Sequence, residues 1–280
     1  MSDLTSEQAP RLPNLPTSRV LPALVIGVAA LALISWLLNT PEGVLGKADA
    51  IGYAICHRID GRSFHLGDRQ LPLCARCTGM YLGAVVGVVG MLLLGRGRAG
   101  GMPSRWVMVT LFGFTALMGI DGVNSYLHFF PALPHLYEPQ NWLRLITGTG
   151  NGLMLAGLIL PVLNQTLWRN WEPRPVLANF RELLLLVVAA AVVVVLVLSE
   201  NVVVLYPLAL LSALGVLGLV MALNTTILLI ALRRENRALG WAGAVLPLLA
   251  GFTLAIIEIG MVDAVRFAIF GTWGGLPVPG

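Results

Sequence analysis

Charge is what this chain most lacks. Only 11% of its residues are Asp, Glu, Lys or Arg, against about 25% in soluble domains. It cannot cover a water-facing surface, and a soluble globular enzyme is excluded. The short alternating strands that a membrane barrel needs are absent, as are an internal repeat of fixed period and a long low-complexity linker. Phosphate-loop and dinucleotide fingerprints are missing as well: "GRGRAGG" (Gly95–Gly101) follows an apolar run, with no strand before it. Cysteine is scarce. There are three, and the c-type haem pattern Cys-x-x-Cys-His is not met, because Thr78 follows Cys77.

What the chain has is apolar length. Hydrophobic residues make up 57% of it, and runs of roughly 18 or more read as membrane helices. Seven are predicted, at about 18–39, 74–94, 106–130, 142–168, 182–199, 202–232 and 241–270. The expectation is an all-α integral membrane protein, a bundle of about seven transmembrane helices.

The charges orient it. With the amino terminus in the cytoplasm, the inner segments carry eleven arginines: Arg11, Arg19, Arg96, Arg98, Arg105, Arg169, Arg174, Arg181, Arg233, Arg234 and Arg237. The outer connections at 131–141 and 199–201 carry none. The positive-inside rule then predicts the amino terminus in and the carboxyl terminus out, at the cell (inner) membrane. Residues 1–17 read as a disordered cytoplasmic tail. Residues 18–168 read as a membrane core with an outer Cys/His loop at 40–73, and 169–280 as additional C-terminal membrane helices. "ADA" (Ala48–Ala50) resembles a signal-peptidase site, but the apolar run before it is long for a signal peptide and reads as an uncleaved anchor. The basic residues are dispersed as topology signals, so nucleic acid is not an expected partner despite a pI near 9.3. The lipid bilayer and other membrane proteins are.

One outer loop breaks the charge rule. The stretch Cys56–Gly90 holds all three cysteines, two of the four histidines and four basic residues. Cys74 and Cys77, in "CARC", fall at the start of a membrane helix, where the helix dipole favours thiolate. With Cys56 they offer three thiolates, and His57 or His65 could complete a closed zinc site. An oxidising outer face offers disulfide exchange instead, with one thiol left over. Below this loop, Asp121, Asn124, Ser125 and His128 share one helical face. Arg144 is the expected counter-ion of Asp121, Asn141 the expected cap of the fourth span, and Asp263 and Arg266 are spaced to pair with each other. A carboxylate in hydrocarbon is costly unless partnered. Arg58, Arg62, Arg76 and Arg144 would ring an outer pocket suited to an anion, unless Asp49, Asp60, Asp68 and Asp121 take them as partners. Gly79, Gly83 and Gly87 form a small-residue stripe for close helix packing.

"CHRIDGRSF", "LPLCARCTGMYLG", "DGVNS" and "NWLRLITGTGNG" together resemble a prokaryotic multi-pass membrane-protein family catalogued only as a domain of unknown function. Its pattern runs Cys-His-Arg, Arg-Ser, Cys-Ala-Arg-Cys-Thr-Gly and Asn-x-x-Arg-x-x-Thr-Gly. The matches here are Cys56, His57, Arg58, Arg62, Ser63, Cys74, Arg76, Cys77, Thr78, Gly79, Asp121, Asn141, Arg144, Thr147 and Gly148. The resemblance spans about residues 45–160 and leaves the last three spans, with Glu258, Asp263 and Arg266, outside it. His65 is also outside the pattern, which favours His57 as the fourth ligand. The family brings no activity.

The leading expectation is a zinc site of Cys56, Cys74, Cys77 and His57 at the extracytoplasmic face. Beside it lies an Arg/Asp/Asn pocket for a small anionic molecule or lipid head group. As an enzyme this would be a metal-assisted hydrolase or transferase. Asp121, Arg144 and Asn141 would be catalytic, and Arg58, Arg62, Arg76, Tyr81 and Asn124 would bind the ligand. A membrane thiol–quinone oxidoreductase and a non-catalytic subunit with a metal-stapled loop stand as alternatives.

Overall fold

In a computed structural model, residues 20–130, 134 and 136–275 are described. The tail expected over 1–17 lies outside them. Seven helices are long and apolar enough to cross a membrane: α1 (Val20–Asn39), α3 (Ala75–Leu93), α4 (Arg105–Leu127), α5 (Asn141–Leu167), α6 (Phe180–Leu198), α7 (Val202–Ala231) and α8 (Trp241–Phe270). Each expected span is present, because bilayer thickness fixes how long an apolar run must be.

An eighth helix, α2 (Gly43–Ile55), sits inside the expected loop 40–73. At 13 residues and about 1.5 Å per residue it is too short to span. Ala48, Asp49 and Ala50 are buried within it.

The bundle is organised around α3 and α5. A Cβ on Gly79 or Gly83 of α3 would fall on the carbonyl oxygens of Leu145 and Thr149, and one on Gly148 or Gly152 of α5 on those of Arg76 and Met80. The two backbones are therefore in direct contact, as small residues permit in a membrane. Helix α4 packs on α5 through Leu111 and Val107, both fully buried. Helix α7 approaches α3 where Gly215 meets the Tyr81 backbone. Helix α8 lies on α7, with Gly251 set against Thr225. Helix α1 packs on α8, leaving most of its own surface exposed.

The two ends of the bundle differ. One is tied by a short parallel pair, β3 (Ala99–Gly101) with β4 (Glu172–Pro175), and by an Arg96–Glu182 ion pair of 2.6 Å. The other gathers α2, a two-residue hairpin of β1 (His65–Leu66) and β2 (Arg69–Gln70), the starts of α3 and α5, and the ends of α4 and α8. All three cysteines are at that second end.

Candidate functional site

Pro72 and Leu73 lead into α3, and Cys74 is its N-cap residue in extended geometry, which puts Cys77 in the first turn. Cys56 is the C-cap of α2. The chain then turns back sharply: Arg58 adopts a left-handed φ of 50°, a conformation a non-glycine residue holds only when its surroundings fix it. They do. Arg58 Nη2 pairs with Asp49 at 3.0 Å, its Nη1 donates to the Trp273 carbonyl at 3.0 Å, and its own carbonyl accepts from Gln70 Nε2 at 2.9 Å.

This fold-back brings the sulfurs of Cys56, Cys74 and Cys77 within 4.8 Å of one another. Cys56 and Cys74 are buried and Cys77 is half-buried. Backbone N–H groups of Cys74 and Arg58 point at Cys56 Sγ, at 3.3 and 3.4 Å. The neighbouring Cys74 and Cys77 thiols, followed by that Cys74 N–H, hold the Cys56 thiol far below its ordinary pKa.

His57 does not join the sulfur group, and nor does His65. His57 Nδ1 accepts from the Ile59 N–H at 3.1 Å. Burial first, then the guanidiniums of Arg62, Arg76 and Arg144, push its pKa down, against the opposing pull of the Cys56 sulfur. His65 pairs with Asp60 at 2.9 Å on the exposed side of the hairpin. Tyr81 packs in the same buried cluster as Cys56 and Cys74.

The polar face of α4 is where the sequence places it, but the partners differ. Asp121, 1% exposed, is paired with Arg76 and not with Arg144. Arg76 Nη2 and Nε both donate to its Oδ2, and Tyr137 Oη donates to its Oδ1 at 3.0 Å. Arg76 also donates to Ser125 Oγ at 3.1 Å. Asn124 holds the segment after α4, accepting from the Leu136 N–H at 2.6 Å and donating to the Tyr137 carbonyl at 2.8 Å. Arg62 lies over the Phe129 ring at 3.7 Å and donates to the Ser125 carbonyl.

Arg144 makes a different choice. Its Nη1 donates to Asn141 Oδ1 at 2.8 Å, and its buried Nε has no partner among the described residues. Asn141 is therefore not the cap of α5: it is the first helical residue, bonded to Arg144 and to the Gly61 carbonyl at 3.3 Å. So Arg58 and Arg76 are committed to carboxylates. Arg62 and Arg144 are not.

The expected Asp263–Arg266 pair is also replaced. Asp263 accepts from Trp36 Nε1 of α1 at 3.1 Å. Arg266 reaches the open end of α2, donating to the carbonyls of Tyr53, Cys56 (2.6 Å) and His57 (3.3 Å). Unsatisfied carbonyls and the negative dipole end call for a cation there. Arg266→Gln is accordingly expected to destabilise the protein by about 2 kcal/mol, the scale of hydrogen bonds to a charged group. Thermal unfolding in detergent would measure it, and faster alkylation of Cys56 should accompany the loss.

Several contributors were not read from sequence. Tyr137 and Trp273 lie outside the helices and Gln70 in β2, and no helical spacing marks them. Arg69, which also pairs with Asp49, carried only the signal that it stood against the positive-inside bias.

Residues 56–158 match the model of a family described as predicted membrane protein, DUF2085. An uncharacterized protein of Methanocaldococcus jannaschii is 28% identical over 123 residues, which cover 44% of this chain and 72% of the relative. An uncharacterized protein of Methanothermobacter thermautotrophicus is 33% identical over 92 residues, covering 29% of this chain and 76% of the relative. No solved structure matches. The matched segment contains the three cysteines, Asp121 and Arg144, and leaves out Arg266 and Trp273.

Proposed function

The chain belongs to the DUF2085 family of predicted membrane proteins, and on that premise we propose a metal-dependent role at the cell (inner) membrane. In this reading the cysteine end lies on the extracytoplasmic side. Cys56, Cys74 and Cys77 hold a zinc ion there, beside a pocket that takes a small anionic or lipid ligand. The observation that carries it is the convergence of three sulfurs within 4.8 Å. A zinc–sulfur distance of about 2.3 Å puts tetrahedral thiolates roughly 3.8 Å apart, so small side-chain movements suffice. Three soft thiolates without a carboxylate favour zinc over calcium or magnesium. The side of the membrane rests on the eleven arginines assigned to the opposite connections.

His57 sits outside the sulfur group, so the fourth position is left for an incoming ligand, as catalytic zinc sites leave it. The ion would supply Lewis acidity in a hydrolase or transferase. Asp121, bonded by Arg76 and Tyr137, orients Arg76. Arg144 and Asn141 face the ligand.

Elemental analysis of the detergent-purified protein tests this, with thiol titration on the same samples. The wild type should hold about one equivalent of zinc, and Cys77→Ser well under half of it, because a site of three thiolates does not survive the loss of one. Three freely titrating thiols with negligible metal would overturn the reading. Fewer than three thiols with negligible metal would instead point to thiol exchange with a quinone.

A further inference from the structure

Two cavities share Leu198, at the end of α6, in their walls. The first, of about 370 Å³, is polar and is lined by Gln140, Asn141, Arg144 and Glu200. The second, of about 440 Å³, is an apolar crevice between α4, α5 and α6, lined by Leu117, Ile146, Ala191, Val195 and Leu198. It runs from the cysteine end toward the middle of the bundle, and its walls include side chains exposed on the outer surface, such as Val195 and Leu117.

Neither charged group of the polar cavity, Arg144 or Glu200, forms an ion pair with another of the described residues. Arg144 is only 5% exposed, yet no carboxylate among the described residues bonds it, and its Nε is unpartnered. A buried guanidinium in that condition is costly, and a phosphate meets its fork well. The first turn of α5 adds free N–H groups and the positive end of the helix dipole. Glu200 stands across the same cavity in the α6–α7 hairpin, exposed and in a left-handed conformation of φ 49°. A simple anion would meet that carboxylate as well as the arginine. A zwitterion satisfies both.

We propose that these two neighbouring cavities together bind one phospholipid whose headgroup carries both a phosphate and a primary ammonium. The phosphate lies against Arg144 and the first turn of α5, the ammonium against Glu200, and one acyl chain runs down the α4–α5–α6 crevice past Leu198. This rests on the reading of an anion pocket at the cysteine end, and it names the ligand class that pocket takes.

Delipidated full-length protein in detergent would be titrated with phosphatidylethanolamine, phosphatidylglycerol and free phosphoethanolamine, with binding read by native mass spectrometry and thermal shift. Wild type should prefer phosphatidylethanolamine over phosphatidylglycerol by about tenfold, the value of one charge-assisted contact. Glu200→Gln should erase that preference. Arg144→Gln, with Arg144→Lys as its charge-retaining companion, should weaken both lipids and phosphoethanolamine by about tenfold or more. Ala191→Trp, on the outer surface, should fill the crevice and weaken both lipids while leaving phosphoethanolamine unchanged. Equal binding of the two lipids by wild type and by Glu200→Gln would overturn the headgroup assignment. If phosphoethanolamine binds normally but Ala191→Trp leaves lipid affinity intact, the chain assignment is wrong and the pocket survives. If Arg144→Gln changes nothing while folding is preserved, the anion pocket itself fails, whatever the metal content of the same samples.

Discussion

Valine in place of Gly148 is expected to lower stability by about 3 kcal/mol or more, near the top of the range for overpacking, and to expose all three thiols to alkylation. A Cβ at Gly148 would fall on the carbonyl oxygen of Arg76 and 3.1 Å from the Met80 nitrogen. Both obstacles are backbone, so no rotamer change can move them aside. A β-branched residue is also stiff at χ1 and cannot fold its methyl groups away. The helices must separate, and Arg76 sits between Cys74 and Cys77, so displacement of that turn carries Cys77 away from Cys56. Gly113→Ala on α4 is the control: nothing lies within 4 Å of its Cβ. It should be neutral or stabilise by up to about 1 kcal/mol through helix propensity alone. Thermal unfolding and mass-labelled alkylation of both variants decide the matter. Similar behaviour of the two would show that α3 and α5 are not in backbone contact.

The same pair of helices shows how much of the fold could be read from the chain. The stripe Gly79, Gly83 and Gly87 announces that some backbone approaches α3, but a one-dimensional pattern cannot say which. The answer, α5 with Gly148 and Gly152, needed the third dimension. The spans themselves were legible to within a few residues, since hydrocarbon thickness imposes their length whatever the tertiary contacts. Helix α2 was not. Its sequence, "GVLGKADAIGYAI", is too short for a span and rich in small residues, and its burial comes from packing against α7 and α8.

At the site, the residue types converged at one end as their spacing implied, and their pairing did not follow. Asp121 and Arg144 are joined by a short connection, which made them look like partners. Arg144 instead bonds Asn141, one turn back on its own helix, and Tyr137, just ahead of α5, donates to Asp121. Arg266 went past Asp263 because the carbonyls ending α2 offer it three acceptors in one place. The Asp263 carboxylate at i–3 accepts Trp36 on Oδ2 alone, and its buried Oδ1 has no partner among the described residues. Pairing among buried charges is decided by whole-structure hydrogen-bond satisfaction, which local spacing does not encode.

Asp121→Leu should be the most damaging single change to a charged residue, at about 3–5 kcal/mol, the cost of stranding one member of a buried pair. Arg76 would lose two of its three hydrogen bonds, keeping only Ser125 Oγ at 3.1 Å. Tyr137 would lose the acceptor that pins its loop. Arg76→Leu should cost less, because its side chain is 21% exposed against 1% for Asp121. It leaves a carboxylate that still receives the Tyr137 hydroxyl. The combined Asp121→Leu/Arg76→Leu variant should recover much of the loss, with a coupling energy of about 2 kcal/mol or more in a double-mutant cycle. Chemical denaturation of the four proteins in one detergent measures it, and strictly additive losses would mean that the two groups do not act as a pair. Apolar residues can replace a buried ion pair at little cost in stability, so stability alone does not account for placing one here. The pair anchors the first turn of α3, between Cys74 and Cys77, to the polar face of α4. A double variant that folds well yet binds metal poorly would locate its value in that positioning.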